Sequence, residues 1–149
     1  MAVKTISGSS LVLQMDQTDD PGSPSYASIG GSTSCSLNVS QEAIDTTNKD
    51  SGGRKAFING VSSWTIDAEA LFTDGTSDGE TVRASTLYAA LDGGYRVAVN
   101  FKCNTGQTGA KEYGGYGYIT SLSVTAAVAE WSTYSISIQG DGELVDAAV

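Results

Sequence analysis

The sequence contains no histidine among its 149 residues. This absence excludes Ser-His-Asp and Cys-His nucleophile systems, and it excludes zinc sites that depend on imidazole ligands. The only cysteines are Cys35 and Cys103, too few to close a structural zinc site. Both fall within segments that alternate like strands, so we interpret them as small buried apolar residues. A disulfide between them would require neighbouring strands.

Cationic residues are also scarce. The chain has 8 Lys and Arg and 17 Asp and Glu, which gives a net charge of −9 and a pI near 4.2. Nucleic acids and anionic membranes are bound by cationic surfaces, so neither is an expected ligand. No apolar run is long enough to cross a membrane as a helix. The first residues, MAVKTISGSS, lack the apolar core of a signal peptide, and we expect synthesis in the cytosol.

The residues that are present favour strands and turns. Apolar residues make up 40% of the chain, charged residues 17%, and much of the remainder is Ser, Thr and Gly. Apolar and polar residues alternate in the segments 11–16, 32–40, 63–72, 95–103, 116–126 and 131–139. In the segment 63–72 the alternation predicts that Trp64, Ile66, Ala68, Ala70 and Phe72 point inward, and that Thr65, Asp67 and Glu69 point outward.

One amphipathic helix is predicted over about residues 78–91. Ser77 and Glu80 have the spacing of a capping box, Ala84, Leu87, Tyr88 and Leu91 form an apolar stripe, and Gly93-Gly94 supplies a left-handed end. The predicted fold is therefore a single domain, mainly β, an antiparallel sandwich or barrel of about six to eight strands flanked by this helix. A long, mostly polar loop is predicted over about 41–62, an N-terminal arm over 1–9, and a turn and C-terminal tail over 140–149.

Several segments could in principle carry chemistry, but each has a simpler interpretation. DGTSDGE (74–80) has oxygen ligands spaced as in a calcium loop, yet Ser85 stands where a bidentate Glu is needed. Asp67 and Glu69 have a separation seen in glycosidases, as any acidic strand would. Gly52-Gly53-Arg54-Lys55 lacks the spacing of a phosphate loop, and the tyrosines of EYGGYGYI suit sheet or subunit packing. We therefore predict no enzymatic activity, no metal and no cofactor.

The stretch STSCSLNVSQEAIDTTNKDSGGRKAFINGVSSWTIDAEALF (32–72) resembles the core of major tail tube proteins of long-tailed, siphophage-type bacteriophages. DTTNKDSGG (45–53) is its most specific part, and the predicted helix and the strand from Tyr95 to Phe101 follow in the order that this family shows. The resemblance covers most of the chain. An aromatic residue is expected near Arg54, and Phe57 takes that place.

The resemblance implies a structural virion protein whose copies form hexameric rings, with the sheets joined into a barrel around a lumen. The rings would stack into a tail tube around a tape measure protein, between a tail terminator and a baseplate, and DNA would pass without specific binding. Assembly would take place in the host cytoplasm. The loop 41–62 would connect subunits and rings, and Trp64 would be a core anchor beneath it. The contact residues carried over are Asp45, Thr46, Thr47, Asn48, Lys49, Asp50, Ser51, Gly52, Gly53, Arg54 and Phe57.

Strand alternation makes Asp67 and Glu69 the candidate lumen-facing acids, where negative charge would keep DNA from adhering. The alternative from the residues alone is a monomeric binding module, an Ig-like or lectin-like sandwich that uses the same loop for a ligand. A tube from a contractile tail is a variant of the first hypothesis.

Overall fold

The computed structural model describes residues 11–16, 26–29, 32–72, 82–103 and 111–148. These residues form seven strands and one α-helix. Their order along the chain is β1 (Leu11–Asp16), β2 (Tyr26–Ser28), β3 (Ser32–Asp45), β4 (Phe57–Leu71), α1 (Ala84–Gly93), β5 (Arg96–Cys103), β6 (Lys111–Thr125) and β7 (Thr133–Ala148).

All seven strands belong to one antiparallel sheet, in the order β2-β1-β5-β6-β7-β4-β3. The sheet is curled, because Cα atoms of β1 and β3 approach within 8 Å although the two strands are not neighbours. It does not close, since β3 and β2 remain its two edges. The prediction of a mainly β, antiparallel fold with six to eight strands and one helix is thus confirmed.

The concave side of the curled sheet and the helix enclose the core. Leu13, Met15, Ile66, Leu87 and Ile138 are among the side chains with almost no exposed surface. Burial of one such side chain contributes roughly 1.5–3 kcal/mol. On β4 the inward prediction holds for Trp64, Ile66, Ala68 and Ala70. It is wrong for Phe72, which lies past the end of β4 and is 41% exposed.

The helix is shorter at its start than predicted. Arg83 is extended (φ −114°, ψ 164°), and the Val82 N–H donates to the Ser28 carbonyl at 3.0 Å, so α1 begins only at Ala84. Val82 is not part of the helix because it forms an isolated parallel bridge with Ile29, the residue that follows β2. The predicted capping segment 77–80 lies outside the described residues. The end is confirmed: Gly94 is left-handed, with φ 63°. Tyr88, assigned to the apolar stripe, is instead exposed.

The predicted loop over 41–62 is wrong in extent. β3 continues to Asp45 and β4 begins at Phe57, and the two pair from Gln41↔Ser62 to Asp45↔Phe57 across one irregularity between Gln41 and Ala43. Only residues 46–56 connect the strands. The alternation is missing here because neither face of these strand ends is buried, so no face needs to be apolar.

The predicted turn and tail over 140–149 are also wrong, because β7 continues to Ala148. Its pairing with β6 shifts register between Gly114 and Tyr116, and Gly142 absorbs the irregularity with φ 83°. Two surface ion pairs accompany this end of β7: Arg96–Asp141 at 3.0 Å and Lys111–Asp146 at 3.1 Å. The predicted arm over 1–9 lies outside the described residues. No helix in the described part of the chain is long and apolar enough to span a bilayer.

Candidate functional site

The ends of β3 and β4 project from the sheet as a two-stranded ribbon, which we define as residues 40–45 and 57–63. β4 pairs with β7 only from Thr65 to Leu71, whereas its pairing with β3 continues to Phe57. Within the described ranges, the ribbon strands therefore pair only with each other. At the usual strand rise, residues 57–63 extend about 23 Å from the body of the sheet.

Residues 46–56 connect the two strands at the end of the ribbon, and we call this connection the tip. The first hydrogen bonds of the tip join residues that are close in sequence or directly across the turn. Asp45 Oδ1 accepts from the Thr47 N–H at 2.8 Å, and the Ala56 N–H donates to Thr47 Oγ1 at 3.0 Å. The Thr46 N–H donates to the Ala56 carbonyl at 2.8 Å. The hydrogen bonds that Thr47 donates lower the pKa of the Asp45 carboxyl below its ordinary value of 3.8.

The remainder of the tip is a short 3-10 turn over Lys49–Ser51, capped by Asn48. Asn48 Oδ1 accepts from the Asp50 N–H at 3.0 Å, and the Asn48 N–H donates to Ser51 Oγ at 3.1 Å. Gly52 and Gly53 follow with φ values of 63° and 78°, a left-handed conformation that suits glycine. The segment DTTNKDSGG thus builds its own turn, with polar side chains satisfying the backbone.

Both faces of the ribbon carry exposed apolar side chains. Ile44 and Ile58 are opposite each other on one face, with exposures of 45% and 55%. Phe57, which is 54% exposed, lies on the other face, and Val61, which is 76% exposed, follows the shift in pairing and lies on the same side as Ile58. A two-stranded ribbon in water ordinarily keeps at least one face polar. The ribbon therefore exposes apolar side chains on both of its faces, which is unusual for a segment surrounded by water.

Trp64 lies at the base of the ribbon, where β4 rejoins the sheet. It is 4% exposed; its Nε1 donates to the Gly142 carbonyl at 3.2 Å, and Gln139 Nε2 donates to its carbonyl at 3.2 Å. The indole lies flat against β6 and β7 at Gly115 and Gly140, where a Cβ would overlap it. The contacts hold the base of the ribbon to the rigid sheet.

Asp67 and Glu69 lie farther along β4, on its solvent-facing side. Asp67 Oδ1 accepts from Ser137 Oγ at 2.6 Å, and Asp67 Oδ2 accepts from Asn38 Nδ2 at 3.5 Å. Ser34 is opposite Glu69 on β3. The acids therefore belong to a hydroxyl-rich outer surface that is separate from the tip.

The tip, the base and the acids thus occupy successive positions along one hairpin, from its end to the body of the sheet. Within the described segments no cluster of His, Cys, Asp or Glu could hold a metal ion. The calcium-like segment 74–80 lies outside them, and Ser85 is in α1. Cys35 is a free, half-buried thiol whose pKa is raised by burial.

The sheet order adds a feature that sequence reasoning did not identify. β3 is an edge strand of 14 residues, and its outer backbone groups pair with no strand in the described part of the chain. Edge strands are ordinarily short, covered or interrupted by proline or lysine. β3 contains neither residue, so it presents a long template for pairing with another chain.

Sequence reasoning also missed exposed apolar residues, namely Ile44, Ile58, Val61, Val128 and Trp131. The sequence feature that could have identified them is an apolar residue in a segment where apolar and polar residues do not alternate. Trp131 is the clearest case, since it was included in the strand 131–139 but precedes β7, which begins at Thr133.

A family model described as phage tail tube protein matches residues 5–146. The fold is similar to a chain in the tail of an empty gene transfer agent particle, refined with C6 symmetry (TM-score 0.77, 19% identity, 97% of this chain and 100% of that chain). It is also similar to the tail tube of SPP1 (0.76, 14%, 97% and 80%). A third similar chain is part of a structure described as an extracellular contractile injection system, sheath/tube terminator in extended state (0.66, 13%, 99% and 100%). No curated protein matches by sequence.

Proposed function

The chain belongs to the phage tail tube protein family, whose role is structural, and we propose that six copies close into a ring and that such rings stack into the tube through which DNA leaves the virion. The observation that carries this proposal is the projecting ribbon. It is apolar on both faces, and in the described structure it packs against nothing. Partner subunits that cover the ribbon would remove its apolar side chains from water and stabilise it.

Ring closure is supported by the free edge of β3. A strand of 14 residues with unpaired N–H and C=O groups can add a strand from a neighbouring copy, and the same contact repeated by rotation closes a ring. The gene transfer agent tail, whose chain has this fold, was refined with C6 symmetry. Six is therefore the proposed copy number of one ring.

Passage of DNA is supported by charge. Six copies at −9 would carry a net charge of 6 × (−9), or −54, per ring. Negative charge at the lumen wall repels phosphates, so DNA would slide without adhering. Asp67 and Glu69 are the proposed lumen-facing acids, because they stand on an outer surface of β4 otherwise lined by small hydroxyl side chains.

The proposed partners are a tape measure protein inside the tube, a terminator at one end and a baseplate at the other. The terminator is supported by the similarity to a chain in the structure of a contractile injection system that includes its sheath/tube terminator. The proposed location is the virion tail, reached from the host cytoplasm. The monomeric binding module has no supporting observation, since the family is a tube family and the exposed apolar ribbon suits a permanent subunit contact.

Negative-stain electron microscopy and sedimentation across a concentration series test the proposal. We expect rings or striated tubes for the wild-type chain. The matched variant replaces residues 46–56 with Asn-Gly, a two-residue turn that can join the paired residues Asp45 and Phe57 and keep the ribbon closed. We expect this variant to fold but to assemble poorly. Wild-type protein that stays monomeric at every concentration, also with the family partners present, would contradict the proposal.

A further inference from the structure

The connection between β6 and β7, residues 126–132, displays apolar side chains on a fixed turn, called the far turn below. Val128 is 100% exposed and Trp131 is 85% exposed. The turn is tied to the end of β4, since the Phe72 N–H donates to the Ser132 carbonyl at 2.8 Å. Ala129 adopts a left-handed conformation with φ 67°, rare for a residue other than glycine. A tryptophan held this far into water indicates a contact residue.

The far turn and the ribbon lie at opposite ends of the same strand. Phe57, the first residue of β4, pairs at the outer end of the ribbon, whereas Leu71, its last residue, pairs with Thr133 beside the far turn. At the usual strand rise the 15 residues of β4 separate the two surfaces by about 45–50 Å. One copy therefore cannot bring its own ribbon to its own far turn.

The two surfaces are complementary in charge as well as in their apolar character. The tip carries Lys49, Arg54 and Lys55 against Asp50, a net charge of +2 in a chain of −9. Among the described residues the ion pairs are Arg96–Asp141 and Lys111–Asp146, so none of the three tip cations forms an ion pair with another described residue. The far turn carries Glu130, which is exposed beside Trp131.

We propose that the ribbon and tip of one copy dock on the far turn of a copy in the next ring, with Trp131 and Val128 packing against the apolar side chains of the ribbon and Glu130 facing the cations of the tip. The occupant is a second copy of this chain, because the two surfaces are matched and face opposite ways along the strand. A contact between unlike surfaces, repeated along one direction, generates an open stack rather than a closed pair. This inference rests on the proposed tube.

The fluorescence of Trp131 gives a direct test, because Trp64, the other tryptophan, is buried in the single copy. We expect acrylamide quenching to fall and the emission to move to shorter wavelength as rings stack. The Trp131→Phe variant, whose signal comes from Trp64 alone, should show neither change. Stacked tubes in which Trp131 remains fully quenchable would overturn the inference.

Electron microscopy of Trp131→Ser separates ring formation from stacking. We expect single rings, with the protein concentration needed for stacking raised at least about tenfold, as for loss of an aromatic contact residue. Tubes formed at the wild-type concentration would overturn the inference, and so would loss of rings together with stacks. Glu130→Lys should also weaken stacking, and Lys55→Glu in the same chain should restore part of it.

A mixed cross-linking experiment keeps the inference testable even if the proposed tube fails. One preparation carries Phe57→Cys, the other carries Val128→Cys, and both carry Cys35→Ser and Cys103→Ser. Mild oxidation of the mixture should yield a disulfide-linked pair with one member from each preparation, in several-fold excess over either same-variant pair. A mixed pair only twice as abundant as each same-variant pair, which is the random expectation for an equal mixture, or no mixed pair at all, would overturn the docking contact whatever the microscopy of the wild type shows.

Discussion

The close approach of Trp64 to Gly140 makes the base of the ribbon sensitive to a single methyl group. A Cβ at Gly140 would overlap Cε2, Cδ2 and Nε1 of the indole, and both neighbouring strands are paired and cannot easily move. We therefore expect Gly140→Ala to cost about 1–3 kcal/mol by overpacking, plus roughly 1 kcal/mol if the bond from Trp64 Nε1 to the Gly142 carbonyl is lost.

Gly114→Ala is the matched control, because it lies on β6 in the same sheet. A Cβ there would meet only the Val99 carbonyl oxygen at 3.8 Å, an ordinary van der Waals distance. This variant should be neutral or more stable by roughly 0.4–1 kcal/mol, because alanine reduces the entropy of the unfolded chain. The difference between the two variants isolates the indole contact from the general effect of replacing glycine in a strand.

Urea denaturation followed by tryptophan fluorescence measures both variants. A Trp131→Phe background leaves Trp64 as the only tryptophan, so excitation at a wavelength that tyrosine does not absorb reports on Trp64 alone. At about 2–4 °C per kcal/mol for a domain of this size, the total loss of about 1–4 kcal/mol in Gly140→Ala should also lower the Tm by roughly 2–16 °C. Trp64→Leu in the Gly140→Ala chain should give a total loss smaller than the sum of the two single losses, since the smaller side chain removes the overlap. Equal stabilities for Gly140→Ala and Gly114→Ala would refute this account of the ribbon's base.

Three further predictions concern the tip and the acids. Asn48→Ala should cost roughly 1 kcal/mol of local stability and speed hydrogen exchange at the Asp50 amide. Thr46→Ala is the control, because it removes no side-chain hydrogen bond seen in the structure and should change little. Equal exchange rates at Asp50 in the two variants would contradict the role of the cap. The pKa of Asp45 is lower in the folded chain than in the unfolded chain. Its contribution to stability is therefore present above the unfolded pKa and is lost as the pH falls through the folded pKa. An NMR titration should place the midpoint of Asp45 below 3.8, and Thr47→Val should raise that midpoint. Replacing Asp67 and Glu69 with Lys should leave tubes intact but slow DNA ejection, and unchanged ejection would remove both acids from the lumen wall.

The sequence by itself determined the fold class and most of the core. Alternation located β1, the first part of β3 and the inward residues from Trp64 to Ala70, because one face of each strand packs against the core. That face is buried on β1 and β4 and only partly buried on β3, at Cys35 and Leu37. It also determined the end of the helix, since Gly94 is in the left-handed conformation that glycine adopts most easily. The turn residues of DTTNKDSGG identified the tip, because their hydrogen bonds are local.

The tertiary structure alone decided which surfaces are free. Apolar and polar residues do not alternate along the ribbon, because neither of its faces is buried in the single copy. The pairing of its two strands is therefore seen only in the tertiary structure. The continuation of β7 past Gly140 depends on its pairing with β6, a contact that outweighs the local preference of Gly-Asp-Gly for a turn. Sheet order left β3 at an edge, and the turn before β7 exposed Trp131, whose apolar character alone would predict burial. Exposure depends on which distant segments pack together, so the local sequence alone does not determine it.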